Sequence, residues 1–580
     1  MRRVVAGILA LALIGSTCLV AQDSAPKKKS KRSVKPKGPT ISQQLLQLQD
    51  QLKQQQTQIM QQQAQIQQLQ TQLQAGETNV SEVKQQGQQL QTSVAQANAS
   101  AEAANKATSD LNTKVADLGT NTTTISQNVQ ETQKKVKDLE TPAAIHYKGV
   151  GITLGGWVDG TFLFRNRNEN ADATTNFGAT PFGGTANAAL TEFRGTARAS
   201  RFILTAEGKA GTTKLTGYYE LDFLSQAPTA NQVETNSFNP RQRQLWGQAA
   251  FANGITLTAG QMWGLITTDR KGIATRAEFI PTTIEGSYVV GYSYIRQNAF
   301  RLTKNFNDKF WAAFEVANPE TTFSTSFQPA NIFGLNTSPN ALSPNGSTLN
   351  FLAGSTNGFS TNLAPDLLAK IAVEPGWGHY ELKFLGRFFR DRINGSNHTS
   401  YGGGIGAAAI LPVVPKKADV IVEGLVGAGI GRYGAANGPD VTIRPDGVLV
   451  PIRAVHVMAG VEVHPHPKFD LYMYGGDEYY ARTNYVSPTG TAAGYGSPLV
   501  VNTGCNVEVP ATPALPCGAQ NRNLYHGTVG AWYRLYKGPF GIFQYGFQYE
   551  YLHRATWQGV GGEPKGIDNV GMTSIRYVLP

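Results

Sequence analysis

Two hydrophobic periods divide the chain. Stepping four and three residues alternately from Ile41 visits Leu45, Leu48, Leu52, Ile59, Ile66, Leu69, Leu73 and onward to Val136 and Leu139. Of the 29 seam positions on this path, 22 are Ile, Leu, Val or Ala, and the phase never slips. Unbroken heptads over residues 41–140 predict a left-handed coiled coil of about 150 Å at 1.5 Å per residue. Gln55, Gln62, Gly76, Gly87, Thr108, Thr122 and Thr132 weaken the seam, so the stripe needs partner chains. Mixed β-branched and Leu seam residues leave two and three strands open. Low-complexity disorder is the plainer reading of a segment in which 27 of 99 residues are Gln, but it does not account for the heptads.

From His146 onward the period becomes two. Phe543, Tyr545, Phe547, Tyr549 and Tyr551 point one way while Gln544, Gln548, Glu550 and Arg554 point the other. Rings interleaved with charges over ten or more residues suit a strand with lipid on one face and a wet interior on the other. The alternation recurs in 215–223 and 379–391. Tight turns fall near Ala210-Gly211, Asn253-Gly254, Asn307-Asp308, Pro375-Gly376, 412–417, 464–467 and Gly538-Pro539, with Asn253-Gly254 the strongest hairpin signal. Longer polar stretches lie between them at 165–197, 224–240, 265–292, 318–364, 392–400, 432–452, 482–522 and 556–568. Seven turns and eight loops predict an all-β transmembrane β-barrel of sixteen antiparallel strands over 146–580, preceded by the long α-helical coiled coil. An even count with short periplasmic turns puts both ends of this body, and the coil, in the periplasm of a Gram-negative envelope.

Composition agrees with this division. All 55 aromatic residues lie at or after Tyr147. Only 16% of the chain is charged and 41% hydrophobic, against roughly 25% and 45–50% in ordinary soluble domains. Residues 1–21 read as a secretory signal: Arg2 and Arg3, an apolar run from Val4, and small residues ending at Ala21. Cys18 lacks a lipid-attachment context and falls in the removed segment. Residues 22–40 form a basic, proline-broken tail expected to be disordered. Nine Lys or Arg and one Asp in 1–40 give +8; the heptad segment contributes −1, leaving +4 of the total +11 for the body. The high isoelectric point therefore describes the terminus, and nucleic acid is not an expected partner. Cys505 and Cys517, twelve apart in an exported chain, predict a disulfide in an outer loop, worth about 3 kcal/mol in the chain-entropy model.

Parity sends Arg201, Glu207, Glu220, Asp222, Arg301, Glu315, Glu381, Lys383, Arg387, Asp391, Glu423, Glu462, Arg534, Glu550, Arg554 and Arg576 inward. The 28-residue loop 265–292, carrying Asp269, Arg270, Lys271 and Arg276, is the candidate for folding inward and narrowing a pore, the plain alternative being an outer loop.

Several of these residues fall in a recognisable order. Ala199-Ser200-Arg201-Phe202, Tyr219-Glu220-Leu221-Asp222-Phe223, Gly260-Gln261-Met262-Trp263, Arg296-Gln297 with Arg301, and Glu315 before Asn318-Pro319, behind a heptad segment, resemble the DcaP-type porins. The resemblance implies a homotrimer in outer-membrane lipid, with coiled coils meeting in the periplasm and a channel for small anionic, dicarboxylate-like solutes. It also implies that Arg201, Arg296 and Arg301 guide the anion while Glu220, Asp222 and Glu315 hold them. Arg270 and Arg387 join them as expected pore-lining residues. The long Gln-rich coil and a last strand ending in Pro580, with Tyr577 left as its aromatic, depart from the family pattern.

A structural tether is the rival reading, the barrel serving as anchor and the coil and basic tail reaching peptidoglycan. A trimeric adhesin fails because this body is long enough for a whole barrel. The eight His residues are scattered, and no nucleophile elbow, phosphate loop or metal-ligand helix occurs, so neither an enzyme nor a cofactor is expected. The His464-Pro465-His466-Pro467 turn could ligate metal but reads first as a stiffened hairpin.

Overall fold

The computed structural model describes residues 144–580, apart from 170, 225–236, 327–331, 334–359, 361 and 510–514, together with Leu118, Thr122, Ile125, Ser126 and Val129. The chain divides into two compact units, Met1–Thr141 and Pro142–Pro580. In the first, those five residues are helical, and the Thr122 hydroxyl donates to the Leu118 carbonyl at 2.7 Å. The expected leader, basic tail and remainder of the heptad segment lie outside the described residues.

The second unit is built on one large sheet closed on itself, with two small two-stranded sheets in its long connections. Its strands are β1 (Val150–Arg165), β2 (Arg201–Ala210), β3 (Thr213–Asp222), β4 (Arg241–Ala250), β5 (Ile255–Trp263), β6 (Arg296–Asn305), β7 (Phe310–Ala317) and β8 (Asp366–Val373). They continue as β9 (His379–Ile393), β10 (Ser396–Val414), β11 (Ala418–Ala428), β12 (Arg453–His466), β13 (Phe469–Tyr480), β14 (Asn521–Gly538), β15 (Gly541–Thr556) and β16 (Lys565–Val578). Each pairs antiparallel with the next, and β16 returns to β1 through the register Trp157↔Val578 to Arg165↔Val570. The short strands Ala144–Tyr147 and Glu192–Thr196 add to β1. Closure leaves no free edge, the condition for a sheet to stand in hydrocarbon.

The wall is inverted relative to a soluble protein. Phe162, Phe164, Phe300, Val426 and Phe547 point outward and are exposed, while Asp159, Arg165, Glu220, Lys383, Glu423 and Glu550 face the interior and are buried. The period-two reading of 543–554 holds, since all five rings are exposed and Gln548, Glu550 and Arg554 buried, with Gln544 half-buried. Rings also collect at the short-turn end, where Tyr147, Phe306, Trp377 and Phe540 are each more than half exposed. Among the described residues no helix is long and apolar enough to cross a membrane.

All seven short turns join the strands expected. The connections differ from expectation in two places. Asn253-Gly254 does not form a two-residue turn: Phe251 donates to the Ile255 carbonyl at 2.8 Å and only Gly254 has positive φ, giving a three-residue loop with glycine in the left-handed position. The expected loop 392–400 is a tight turn instead. Asn394 and Gly395, at φ +47° and +80°, connect Ile393 directly to its partner Ser396, and β9 and β10 run on through the stretch read as loop. Asn-Gly supplies the two positive φ values this turn needs, which the polar neighbours Ser396 to Ser400 obscured.

An arginine placed outward at mid-wall measures the inverted pattern. Phe547→Arg is expected to cost about 2–4 kcal/mol of folding stability in phospholipid vesicles, read from denaturant titration of refolding. A cost below about 1 kcal/mol would contradict a lipid-facing position.

Candidate functional site

The segment 264–295 between β5 and β6 folds into the barrel. Leu265, Ile266, Phe279, Val289, Val290 and Tyr292 are almost wholly buried and form the centre of the main apolar cluster. A loop at this depth must place its backbone donors, and the wall provides acceptors. The amide of Asp269 donates to Glu381 on β9 at 2.9 Å, Ser293 to Glu423 on β11 at 2.7 Å, Gly291 to Glu478 on β13 at 3.1 Å and Ile284 to Gln548 on β15 at 2.6 Å. The Trp532 indole of β14 donates back to the Thr282 carbonyl at 2.9 Å. Side chains add to these contacts: Lys370 bridges Asp269 at 2.7 Å and Glu381 at 3.1 Å, and Lys383 donates to Thr268 at 2.6 Å. Gly291, at φ +87°, lies directly on the wall, for a Cβ there would sit 1.9 Å from the Val457 carbonyl oxygen. The segment thus leaves one side of the barrel and is held by the opposite side.

Beside its origin the wall carries a concentration of guanidinium groups. Glu220 accepts from Arg243 at 2.6 Å, Gln244 at 2.7 Å and Tyr218 at 2.9 Å, and Arg201 stands 3.1 Å away. Asp222 takes two bonds from Arg241, both 2.9 Å, and one from Arg243 at 2.7 Å. Arg243 reaches further to the Tyr288 hydroxyl at 2.9 Å. Arg296 completes the group, stacked 5.0 Å over Trp263, with its Nη1 buried and without a hydrogen-bond partner. Three guanidiniums therefore share two carboxylates, and a fourth stands beside them. Burial alone would raise the Tyr288 hydroxyl, yet Arg243, Arg201 and Arg296 hold its pKa below the ordinary value.

Of the residues singled out from sequence, Arg201, Glu220, Asp222 and Arg296 meet here. Arg301 and Glu315 pair separately at 2.7 Å on β6 and β7. Arg301 is buried inward, whereas Arg296 begins β6 half-buried against Trp263. Arg387 is committed to Asp440 at 2.6 Å and Asp366 at 3.2 Å. Arg270, on the inward segment, donates to both oxygens of Glu462 at 2.9 Å. Of the sixteen charges assigned inward by parity, twelve are buried, and Arg201, Glu207, Arg534 and Arg576 are half-buried. Cys505 and Cys517 are disulfide-bonded in the connection between β13 and β14.

Arg241 and Arg243 escaped the sequence reading. Opposite Glu220 stands Gln244 and opposite Leu221 stands Gln242, so Arg243 is the extra residue of a β-bulge. Trp246 fixes even positions as inward below the bulge; the bulge turns Arg243, and then Arg241, to the inside. Strict alternation places both on the wrong face.

Asp419, Glu462 and His464 bring ligand-type atoms within 4.8 Å of one another. Glu462 is already neutralised by Arg270 and accepts the Tyr474 hydroxyl at 2.7 Å, while His464 Nδ1 stands 2.7 Å from Asp470. These bonds account for the group as a hydrogen-bonded network.

Removing one member of the segment's buried anchor should destabilise the fold. Lys370→Met leaves Asp269 without its ion-pair partner and Glu381 with only Lys383 and His379, and is expected to cost about 3–5 kcal/mol, whereas Arg444→Met, which breaks the exposed pair with Asp446 at 2.7 Å, should cost under about 1 kcal/mol. Urea titration in detergent compares the two, and equal costs would contradict the anchor.

No protein-family model matches the sequence, and a search of curated proteins found no match. Solved structures do match. The outer membrane channel DcaP of Acinetobacter baumannii aligns at a TM-score of 0.52 and 16% identity, covering 75% of this chain and 100% of that one. OmpF of Salmonella typhi, in complex with daunomycin, aligns at 0.40 and 10%, covering 75% and 100%. An anion-selective porin from Comamonas acidovorans aligns at 0.38 and 12%, covering 74% and 100%. At such identities the likeness is one of architecture: the closed sixteen-strand body has the fold of the outer membrane channel DcaP.

Proposed function

We propose that this protein is an outer-membrane porin through which small anionic solutes, dicarboxylates among them, diffuse. The observation that carries the reading is the guanidinium excess beside the inward segment, where, among the described residues, Arg201, Arg241 and Arg243 gather on Glu220 and Asp222 and Arg296 stands beside them over Trp263. At an effective dielectric of 20, one unit charge about 4 Å from its counter-ion gains about 4 kcal/mol, and in bulk water about 1 kcal/mol. An anion passing this corner therefore meets an attraction large enough to select it and weak enough to release it. Across the barrel the balance differs: Asp269, Glu381 and Glu423 outnumber Lys370 and Lys383. The inward segment bridges these two sides, and on this reading it narrows the channel between them. Arg301 and Arg387, tied to Glu315, Asp366 and Asp440, then serve as structural charges of the lumen, and Arg270 holds the segment to Glu462.

Residues 1–21 act in this proposal as an export signal, 22–40 as a basic tail and 41–140 as a periplasmic coiled coil joining three copies, with 146–580 as the barrel. Contact of the tail with peptidoglycan would add tethering to transport without competing with it.

Reversal potential under a salt gradient tests the proposal on the intact protein in planar bilayers. Native protein is expected to prefer anions. Arg241→Gln together with Arg296→Gln, which lowers the cluster from +2 to neutral, should bring the anion-to-cation permeability ratio toward one. Cation preference in the native protein would overturn the assignment.

A further inference from the structure

The outward face of the barrel carries a charged patch that transport does not use. It lies at the long-connection end of β13 to β16, four consecutive strands of the wall. Arg482 follows β13, Arg522 is the second residue of β14, Trp557 follows β15 and Lys565 opens β16. Arg522 is the extra residue of a bulge, because Asn521 pairs with Thr556 and Asn523 with Ala555. The guanidiniums of Arg482 and Arg522 stand 4.5 and 5.8 Å from the Trp557 ring, whose indole nitrogen is fixed by the Tyr480 carbonyl at 3.1 Å. Glu563 lies 3.1 Å from Arg522 and 3.9 Å from Lys565. Two cations thus share one carboxylate, a third, Arg482, stacks on the same Trp557 ring, and the Lys565 side chain remains half exposed.

What lies next to the patch identifies its partner. Down the same outward face run Tyr525, Val529, Phe547, Tyr549 and Tyr551, all exposed. At about 3.4 Å per residue, the strip from Trp557 to Phe547 runs about 34 Å along the strand, which at a tilt of about 40° spans about 25 Å, the height of the apolar band of such a barrel. A cationic cluster over an aromatic strip of that length matches an amphiphile with phosphate at one end and acyl chains below it. A soluble anion would use only the head of this arrangement, and a neutral lipid only the strip.

We propose that Arg482, Arg522 and Lys565, braced by Trp557, bind the phosphate groups of an anionic lipid of the outer leaflet whose chains lie along β14 and β15. This rests on the membrane-spanning reading of the barrel, not on its anion selectivity.

Native mass spectrometry of the detergent-purified full chain, titrated with diphosphorylated lipid A, tests it against dephosphorylated lipid A, phosphatidylcholine and inorganic phosphate. Diphosphorylated lipid is expected to bind at least tenfold tighter than either uncharged lipid. The triple variant R482Q/R522Q/K565Q should lose at least tenfold in that binding while keeping the native conductance. Should the triple variant not fold, Arg482→Gln alone, on an exposed side chain, is expected to weaken binding severalfold. Unchanged binding in a folded variant, or equal binding of neutral lipid, overturns the proposal, and so does saturation of the site by inorganic phosphate alone. Absence of conductance in the native protein would instead overturn the porin reading and leave the lipid result standing.

Discussion

A closed wall with lipid outside must put its charges inside and satisfy them there. Hydrocarbon offers nothing to an unpaired backbone group, so the sheet closes, and once closed it confines ionisable side chains to a volume poor in water. The interior responds with pairs and networks, such as Glu220 and Asp222 under Arg243, Lys370 between Asp269 and Glu381, and Arg387 between Asp366 and Asp440. An irregular segment can cross this space because the same carboxylates accept its amide hydrogens, as Glu381, Glu423 and Glu478 do for Asp269, Ser293 and Gly291. The acids of β9, β11 and β13 therefore have two tasks. They set the charge of one side, and they hold the backbone that divides it from the other.

Strand number, turn positions and the faces of most charges were legible because each rests on local chemistry. Alternation of ring and charge from Phe543 to Arg554 has one solution in a two-sided wall, and Gly or Pro at a turn forces the chain back within a few residues. Where local chemistry is ambiguous the reading slipped. Asn394-Gly395 carries a stronger turn signal than its polar neighbours carry a loop signal, yet a run of polar residues on extended strands looks like loop until the pairing of Asp391 with His398 is seen. The bulge at Arg243 leaves no mark in composition or period, since one unpaired residue changes parity without changing residue type. The main cation of the site was hidden for that reason, although its partners Glu220 and Asp222 were not.

Depth of penetration of the inward segment was legible only in part. Its length and its charged stretch from Asp269 to Arg276 mark it as unusual, but the residues that hold it are spread over β8 to β15, one or two per strand, in no recoverable order. Gly291 and Gly476 show the difficulty in miniature. Each is glycine because the segment's backbone lies against the wall's, so that a Cβ on either would meet a carbonyl oxygen at 1.9 Å. In sequence they are two among 62 glycines.

The distribution of charge around the wall bears on why the segment crosses where it does. It leaves from β5 and returns to β6, beside the guanidiniums, and it is received by carboxylates on the far side. A crossing in the opposite sense would need backbone donors to face arginines, which accept nothing. Amide hydrogens can be satisfied by Glu and Gln, and Arg can be satisfied by carbonyl oxygens, as Arg301 is by Trp263 and Arg387 by Gly429. The far side thus receives the segment's donors, while arginines next to the strand ends take carbonyls and have guanidinium capacity left over. The positive corner is a consequence of how the segment is anchored as much as of any demand made by a solute. On the proposed anion preference, Arg241 and Arg296 are the charges free to vary, since among the described residues neither donates to the segment's backbone, while Glu381 and Glu423 are fixed by the amides they accept.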